Sequence, residues 1–202
     1  MNNIQIDIAH LTKLFKAQKA LDDVSMRFET GKLYGIIGPA GAGKTTLFRI
    51  MLNLLKANAG VVSYTVNGNK VAFEDFSEHI AYMPQTQSLY ADLSHLDFFQ
   101  DLYSIDKQTY EKRKKELLNL TRLEKFLDRP AGKLSGGMYK KLGLMCALLR
   151  SPEVILLDEP TNGVDPISRR EFWSMLHSSV EQGILVIMTT AYMDEAERCG
   201  QV

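Results

Sequence analysis

One segment constrains this chain more than any other. The apolar run Leu33–Ile37 passes straight into Gly38-Pro39-Ala40-Gly41-Ala42-Gly43-Lys44-Thr45, and Thr45–Leu55 then carries Leu47, Ile50, Met51 and Leu54 at helical spacing. Strand, glycine loop and helix in that order match the pattern G-x-x-x-x-G-K-[ST] in the context that gives it meaning. Glycines let the backbone bend until successive N–H groups face one point, and the helix adds its positive N-terminal end there. Such a nest suits a phosphate chain. Lys44 is then placed for the β- and γ-phosphates of a nucleoside triphosphate. The Thr45 hydroxyl is placed for Mg²⁺ and Thr46 for the α-phosphate side.

A second constellation strengthens the first. The run Val154-Ile155-Leu156-Leu157 reads as a buried strand that delivers Asp158, Glu159 and Pro160 at its C-terminal end, where open α/β sheets bind ligands. Asp158 is expected to hold Mg²⁺ through water. Strand alternation sends Glu159 to the opposite side, placed to polarise an attacking water.

The rest of the chain has an alternating texture. Ile4–Ala9 and Val24–Phe28 read as early strands, Met138–Leu149 and Arg169–Glu181 as helices, and Ile184–Met188 as another buried strand. Between them, Tyr110–Leu127 is charged and helical, with Leu117, Leu120, Leu123, Phe126 and Leu127 near 3.6-residue spacing. Alternating strands and helices predict an α/β fold with a mainly parallel core sheet and a helical insertion. With 202 residues the chain can bury a sizeable core without staples, and Cys146 and Cys199 lie too far apart to suggest a metal site or a disulfide pattern. Cys146 sits in an apolar run as a core residue. Twenty-four basic and 24 acidic residues cancel, which argues against binding nucleic acid through a broad basic surface. No apolar run approaches the ~18 residues that span a bilayer, and the N-terminus lacks the pattern of a secretory signal.

Leu134-Ser135-Gly136-Gly137-Met138, set between the glycine loop and the Asp158–Glu159 strand, resembles the signature motif of the ATP-binding cassette (ABC) ATPases, and the likeness covers the whole chain. It implies a P-loop NTPase fold with a mainly parallel core sheet, an N-terminal antiparallel β portion and an inserted α-helical subdomain. One domain, 1–202, is expected, with 1–85 and 138–202 as the catalytic core and 86–137 as the helical subdomain with the signature. In this family two cassettes sandwich two ATP molecules head to tail. Ser135, Gly136, Gly137 and Met138 are therefore expected to face the ATP held by a partner cassette, and Asp165 to cross the dimer interface. Phe15 takes the place of the aromatic residue that stacks on adenine. Gln85, in Tyr82-Met83-Pro84-Gln85, resembles the glutamine that touches Mg²⁺ and the attacking water. The resemblance implies ATP and Mg²⁺ as cofactors. It further implies a transmembrane permease and a second cassette as partners, and a place on the cytoplasmic face of the cell membrane. Leu89, Tyr90, Phe98, Phe99 and Tyr103 are candidates for the groove that receives a permease helix. LSGGM, TNGVD and DEAERC look like exporter cassettes whose permeases are separate chains.

The sequence departs from the family where Thr189-Thr190-Ala191-Tyr192 carries alanine in place of the usual histidine. A methyl group cannot hydrogen-bond a γ-phosphate, and losing that contact costs on the order of 10²-fold in rate. ATP bound well and hydrolysed slowly follows, unless another residue compensates or a non-identical partner cassette carries the histidine. The family also continues with further strands beyond Asp194-Glu195-Ala196-Glu197. Other classes fit less well. Translation-factor relatives carry two cassettes and a charged linker, chromosome-maintenance relatives insert a long coiled coil between loop and signature, and GTP switches carry an NKxD-type motif. Asn69-Lys70-Val71-Ala72 lacks the acid.

Overall fold

The computed structural model describes residues 2–86 and 105–202. Leu89, Tyr90, His95, Phe98, Phe99 and Tyr103 lie outside the described residues. Among the described residues, two four-stranded sheets organise the fold. The first is antiparallel, in the order β2 (Gln18–Glu29), β1 (Ile4–Phe15), β4 (Ala59–Val66), β5 (Asn69–Val71). The second is parallel, in the order β3 (Leu33–Ile37), β8 (Leu185–Thr190), β7 (Val154–Asp158), β6 (Ile80–Met83). This bears out the expected α/β class with its antiparallel N-terminal portion.

The first two strands run further than alternation suggested. Ile4, Ile6, Ile8 and Leu11 are buried, but register shifts after Ile8 and Leu11 break the two-residue period. Cross-strand pairing continues to Phe15↔Gln18 regardless of the lost pattern. Around the sheets lie α1 (Lys44–Met51), the single turn α2 (Phe73–Phe76), α3 (Lys107–Thr121), α4 (Gly136–Leu148), α5 (Pro166–Glu181) and the short α6 (Met193–Ala196). The helical run foreseen to Leu127 stops at Thr121, because Arg122 turns left-handed at φ 57°. A 3₁₀ turn at Glu124–Phe126 follows, and the reversal lets Leu123 bury in the same core as Leu117 and Leu118.

Both faces of the parallel sheet are covered, so its central strands are apolar throughout. Val154 and Leu156 of β7 face one core with Leu185 and Ile187 of β8, shared with Leu47, Phe48 and Met51 of α1 and with Ile4, Ile6 and Ile8. Ile155, Leu157, Val186 and Met188 face a second core with Leu144, Met145, Phe172, Trp173 and Leu176. Tyr110 and Leu117 of α3 belong to that second core too, so the helical portion is welded to the sheet by common burial. Each fully buried side chain of this size contributes about 1.5–3 kcal/mol. Gln201 forms an isolated parallel bridge with Tyr34 at the outer edge of β3. Among the described residues no helix is long and apolar enough to cross a membrane.

Candidate nucleotide site

The glycine loop joins β3 to α1 at the C-terminal edge of the parallel sheet. Gly41 and Gly43 take φ of 82° and 92°, where a side chain strains the backbone. Gly43 is doubly committed, because a Cβ there would lie 2.1 Å from the Ala20 carbonyl oxygen of β2. The loop is thus pressed against the antiparallel sheet, near the hairpin tip that carries Phe15. The Phe15 ring is half-exposed, with the Lys13 ammonium 5.2 Å from its centroid.

Parity along β7 decides where Asp158 goes. It lies on the face of Val154 and Leu156, towards α1, and is fully buried. Thr45 Oγ1 donates to its Oδ2 at 2.7 Å, Tyr82 OH to the same oxygen at 3.2 Å, and Thr189 Oγ1 to its Oδ1 at 2.7 Å. Burial, with the Asp158 carboxylate beside it, pushes the Tyr82 phenol well above its ordinary range. Tyr82 and Thr189 stand on the strands flanking β7, in register with Leu156 and Asp158. No spacing in the sequence announces them, because pairing across a parallel sheet is settled by the fold.

Glu159 corrects the expectation from alternation. The strand ends at Asp158, and Glu159 turns left-handed at φ 46°, its N–H donating to Thr189 Oγ1 at 3.0 Å. That turn swings the carboxylate back over the glycine loop instead of away from it. Its Oε1 pairs with Lys44 Nζ at 3.0 Å, the two side chains being 13% and 6% exposed. Lys44 also donates to the carbonyls of Gly38 at 2.6 Å and Pro39 at 3.0 Å. Glu159 Oε2 accepts from Gln85 Nε2 at 3.0 Å and from Asn162 Nδ2 at 3.4 Å. Loop lysine, strand-end glutamate and Gln85 therefore converge on one point.

The oxygens in the site suit a small hard cation. The Thr45 hydroxyl and the Asp158 carboxylate are already in contact, and the Gln85 amide lies on the neighbouring Glu159. Mg²⁺ takes one or two such protein ligands beside phosphate oxygens and water. Thr45 can keep its donated bond to Asp158 while turning a lone pair to the ion. Lys140, on α4, donates to the Gln85 carbonyl at 2.9 Å and was not foreseen. Loss of solvent pulls its ammonium pKa down, although Asp158 and Glu159 pull the other way.

The signature residues stand apart. Ser135 caps α4, its Oγ accepting from Met138 N at 3.4 Å, and both Ser135 and Gly136 are exposed. Gly137 is buried instead, and a Cβ there would meet Ser168 Cβ and Oγ at 2.4 Å. Met138 packs, partly buried, against the second core. Asp165 caps α5, its Oδ1 accepting from Ile167 N at 3.1 Å and Ser168 N at 2.9 Å, and those bonds, Ser168 first, hold its carboxyl below the usual range. Ala191 is exposed just beyond β8. Three histidines are occupied elsewhere, His10 with Asp23, His79 with Glu153, and His177 against the Trp173 ring. Cys146 is packed as expected, with burial pushing its thiol up to about 12.

Known proteins resemble this chain in sequence and fold. The probable multidrug ABC transporter ATP-binding protein YbhF of Escherichia coli (strain K12) is 43% identical over 209 residues, which covers 100% of this chain and 36% of that protein. The Nod factor export ATP-binding protein I of Burkholderia lata is 34% identical over 196 residues, 96% of this chain and 64% of that protein. The chain thus spans less than two thirds of either relative. The ADP conformation of MJ1267, an ATP-binding cassette of an ABC transporter, superposes with a TM-score of 0.80 at 26% identity, over 100% of this chain and 89% of that one. Residues 21–162 match the ABC transporter family itself, a stretch that holds the glycine loop, the signature and both strand-end acids. On sequence, fold and site together, this chain belongs to the ABC transporter family.

Proposed function

We propose that this chain binds and hydrolyses ATP as the motor cassette of a membrane exporter, on the cytoplasmic face of the cell membrane. In this reading it works with a transmembrane permease and a second cassette. The observation that supports it best is the convergence of Lys44, Gln85 and Glu159 beside the Thr45–Asp158 pair. The multidrug and Nod-factor export relatives favour an exporter.

Lys44 leaves Glu159 for the β- and γ-phosphates of ATP, exchanging one anionic partner for another. Glu159, freed of that cation, accepts a proton from the attacking water. The water oxygen then bonds the γ-phosphorus as the bond to the β–γ bridging oxygen breaks, and ADP and phosphate form. Magnesium, when bound by Thr45, Gln85 and water held on Asp158, neutralises charge on the phosphate oxygens. The exposed Ser135 and Gly136, at the N-terminus of α4, offer their amides to the γ-phosphate of ATP on the opposite cassette. Phe15 stacks on adenine, and Asp165 faces the partner. With alanine at 191, turnover is slower than in a cassette that has histidine there.

ATP turnover and ATP-dependent dimerisation, measured on the unaltered chain, Glu159→Gln and Ala191→His, test this. Dimers with MgATP, slow turnover lost in Glu159→Gln and faster turnover in Ala191→His are expected. Turnover that survives Glu159→Gln, or no binding of MgATP, overturns the reading.

A further inference from the structure

Ala191 leaves the water-orienting position without a polar side chain, yet the next residue reaches into the site by another route. Tyr192 OH donates to Asn162 Oδ1 at 3.4 Å, and Asn162 Nδ2 donates to Glu159 Oε2 at 3.4 Å. We propose that Tyr192, acting through Asn162, positions the Glu159 carboxylate for hydrolysis and so does part of the work that Ala191 cannot. The proposal rests on the reading of Glu159 as general base.

Both ends of this relay are held. The Arg169 guanidinium lies 5.1 Å from the centroid of the Tyr192 ring, within cation–π range, and Tyr192 N donates to Thr190 Oγ1 at 3.0 Å. Asn162 N donates to the Glu159 carbonyl at 3.3 Å, closing the turn between them. The neighbouring Thr161 hydroxyl donates at 2.6 Å to Glu195, which is fully buried on α6 one turn after Tyr192. Turn and tyrosine are therefore tied to the same short helix.

The chemistry explains why Asn162 matters most when ATP is bound. Among the described residues, three side chains donate to Glu159: Lys44, Gln85 and Asn162. With MgATP in the site, Lys44 would turn to the phosphates and Gln85 would help hold the ion, which would leave Asn162 on the carboxylate. A bond from Tyr192 to Oδ1 obliges Nδ2 of the same amide to face Glu159. Long contacts of this kind tighten as the reacting complex forms.

Tyr192→Phe is the sharp variant, because it keeps the ring over Arg169 and removes only the hydroxyl. One hydrogen bond of ordinary worth corresponds to about tenfold in rate. Steady-state turnover of MgATP is expected to fall about tenfold in kcat, with KM for MgATP and the melting temperature unchanged. Asn162→Ala is expected to match it, and the two together to cost little more than either. Tyr192→Phe combined with Ala191→His is expected to turn over as Ala191→His does, since the imidazole bypasses the relay. An unchanged kcat in Tyr192→Phe, or a loss that histidine at 191 does not restore, overturns the proposal. If every variant, Ala191→His included, binds MgATP and none turns it over, hydrolysis itself falls, and the proposal with it.

Discussion

The glycine-loop cluster and the Leu134–Met138 segment, which the proposed function brings together, are built in opposite ways. Around the glycine loop, Lys44, Thr45, Asp158 and Glu159 are buried or nearly so, and each is satisfied by another member of the group. At the signature, Ser135 and Gly136 are exposed at a helix N-terminus, with one 3.4 Å bond from Met138 N to the Ser135 hydroxyl. The difference teaches which of the two finds its polar partners within one chain. Buried charges need partners in place before any ligand arrives, whereas exposed helix-terminal amides stay hydrated until something displaces the water.

The largest way to break this contrast lies in the closed half. Lys44→Ala is expected to lower turnover on the order of 10³-fold and to weaken MgATP binding, read by titration with the nucleotide. It removes the phosphate cation and also strands Glu159. Glu159→Gln separates those two effects. Turnover falls on the order of 10²-fold or more, yet MgATP binds at least as tightly, because Lys44 no longer has a carboxylate to leave. Weaker binding in Glu159→Gln would show that the Lys44–Glu159 pair organises the loop and does not compete with phosphate.

The open half is expected to respond more through packing. Gly137→Ala drives a methyl group into Ser168 and costs about 1–3 kcal/mol, measured by thermal unfolding. Adding Ser168→Gly makes room and is expected to recover most of the loss. Failure to recover would move the clash to Asp165, whose Oδ2 would lie 3.3 Å from the same Cβ. The smallest effect concerns Asp165. Its folded pKa lies below the unfolded value, so its capping bonds stabilise the fold above the ordinary carboxylate range and are lost as pH falls through the lowered value. Asp165→Ala is expected to lower the melting temperature near neutral pH by no more than about 2 °C, and to lose that difference in acid. Asp165→Asn keeps the cap and removes the charge, so any effect on dimerisation is read apart from stability.

Much of the site was legible because phosphate chemistry is local. Gly38 to Thr45 form one unbroken segment, and their role follows from φ, N–H direction and a helix end, none of which needs distant contacts. The same locality made the core legible, since Val154–Leu157 and Leu185–Met188 are apolar on both faces. The leucine spacing locates helix α3 but predicts it too long, because nothing in it marks the left-handed Arg122. Alternation predicts the hairpin strands too short for a related reason, since shifts in register beyond Ile8 erase the two-residue period.

Sequence by itself determined the fold class, the phosphate loop and the family, because each is written in contiguous residues whose spacing the backbone must obey. Only the tertiary structure decided that Glu159 turns back onto Lys44, that Tyr82 and Thr189 clasp Asp158, and that Tyr192 reaches Asn162. Those contacts join strands and turns far apart in the chain. Their partners are chosen by sheet register and by one left-handed residue, which no local pattern encodes.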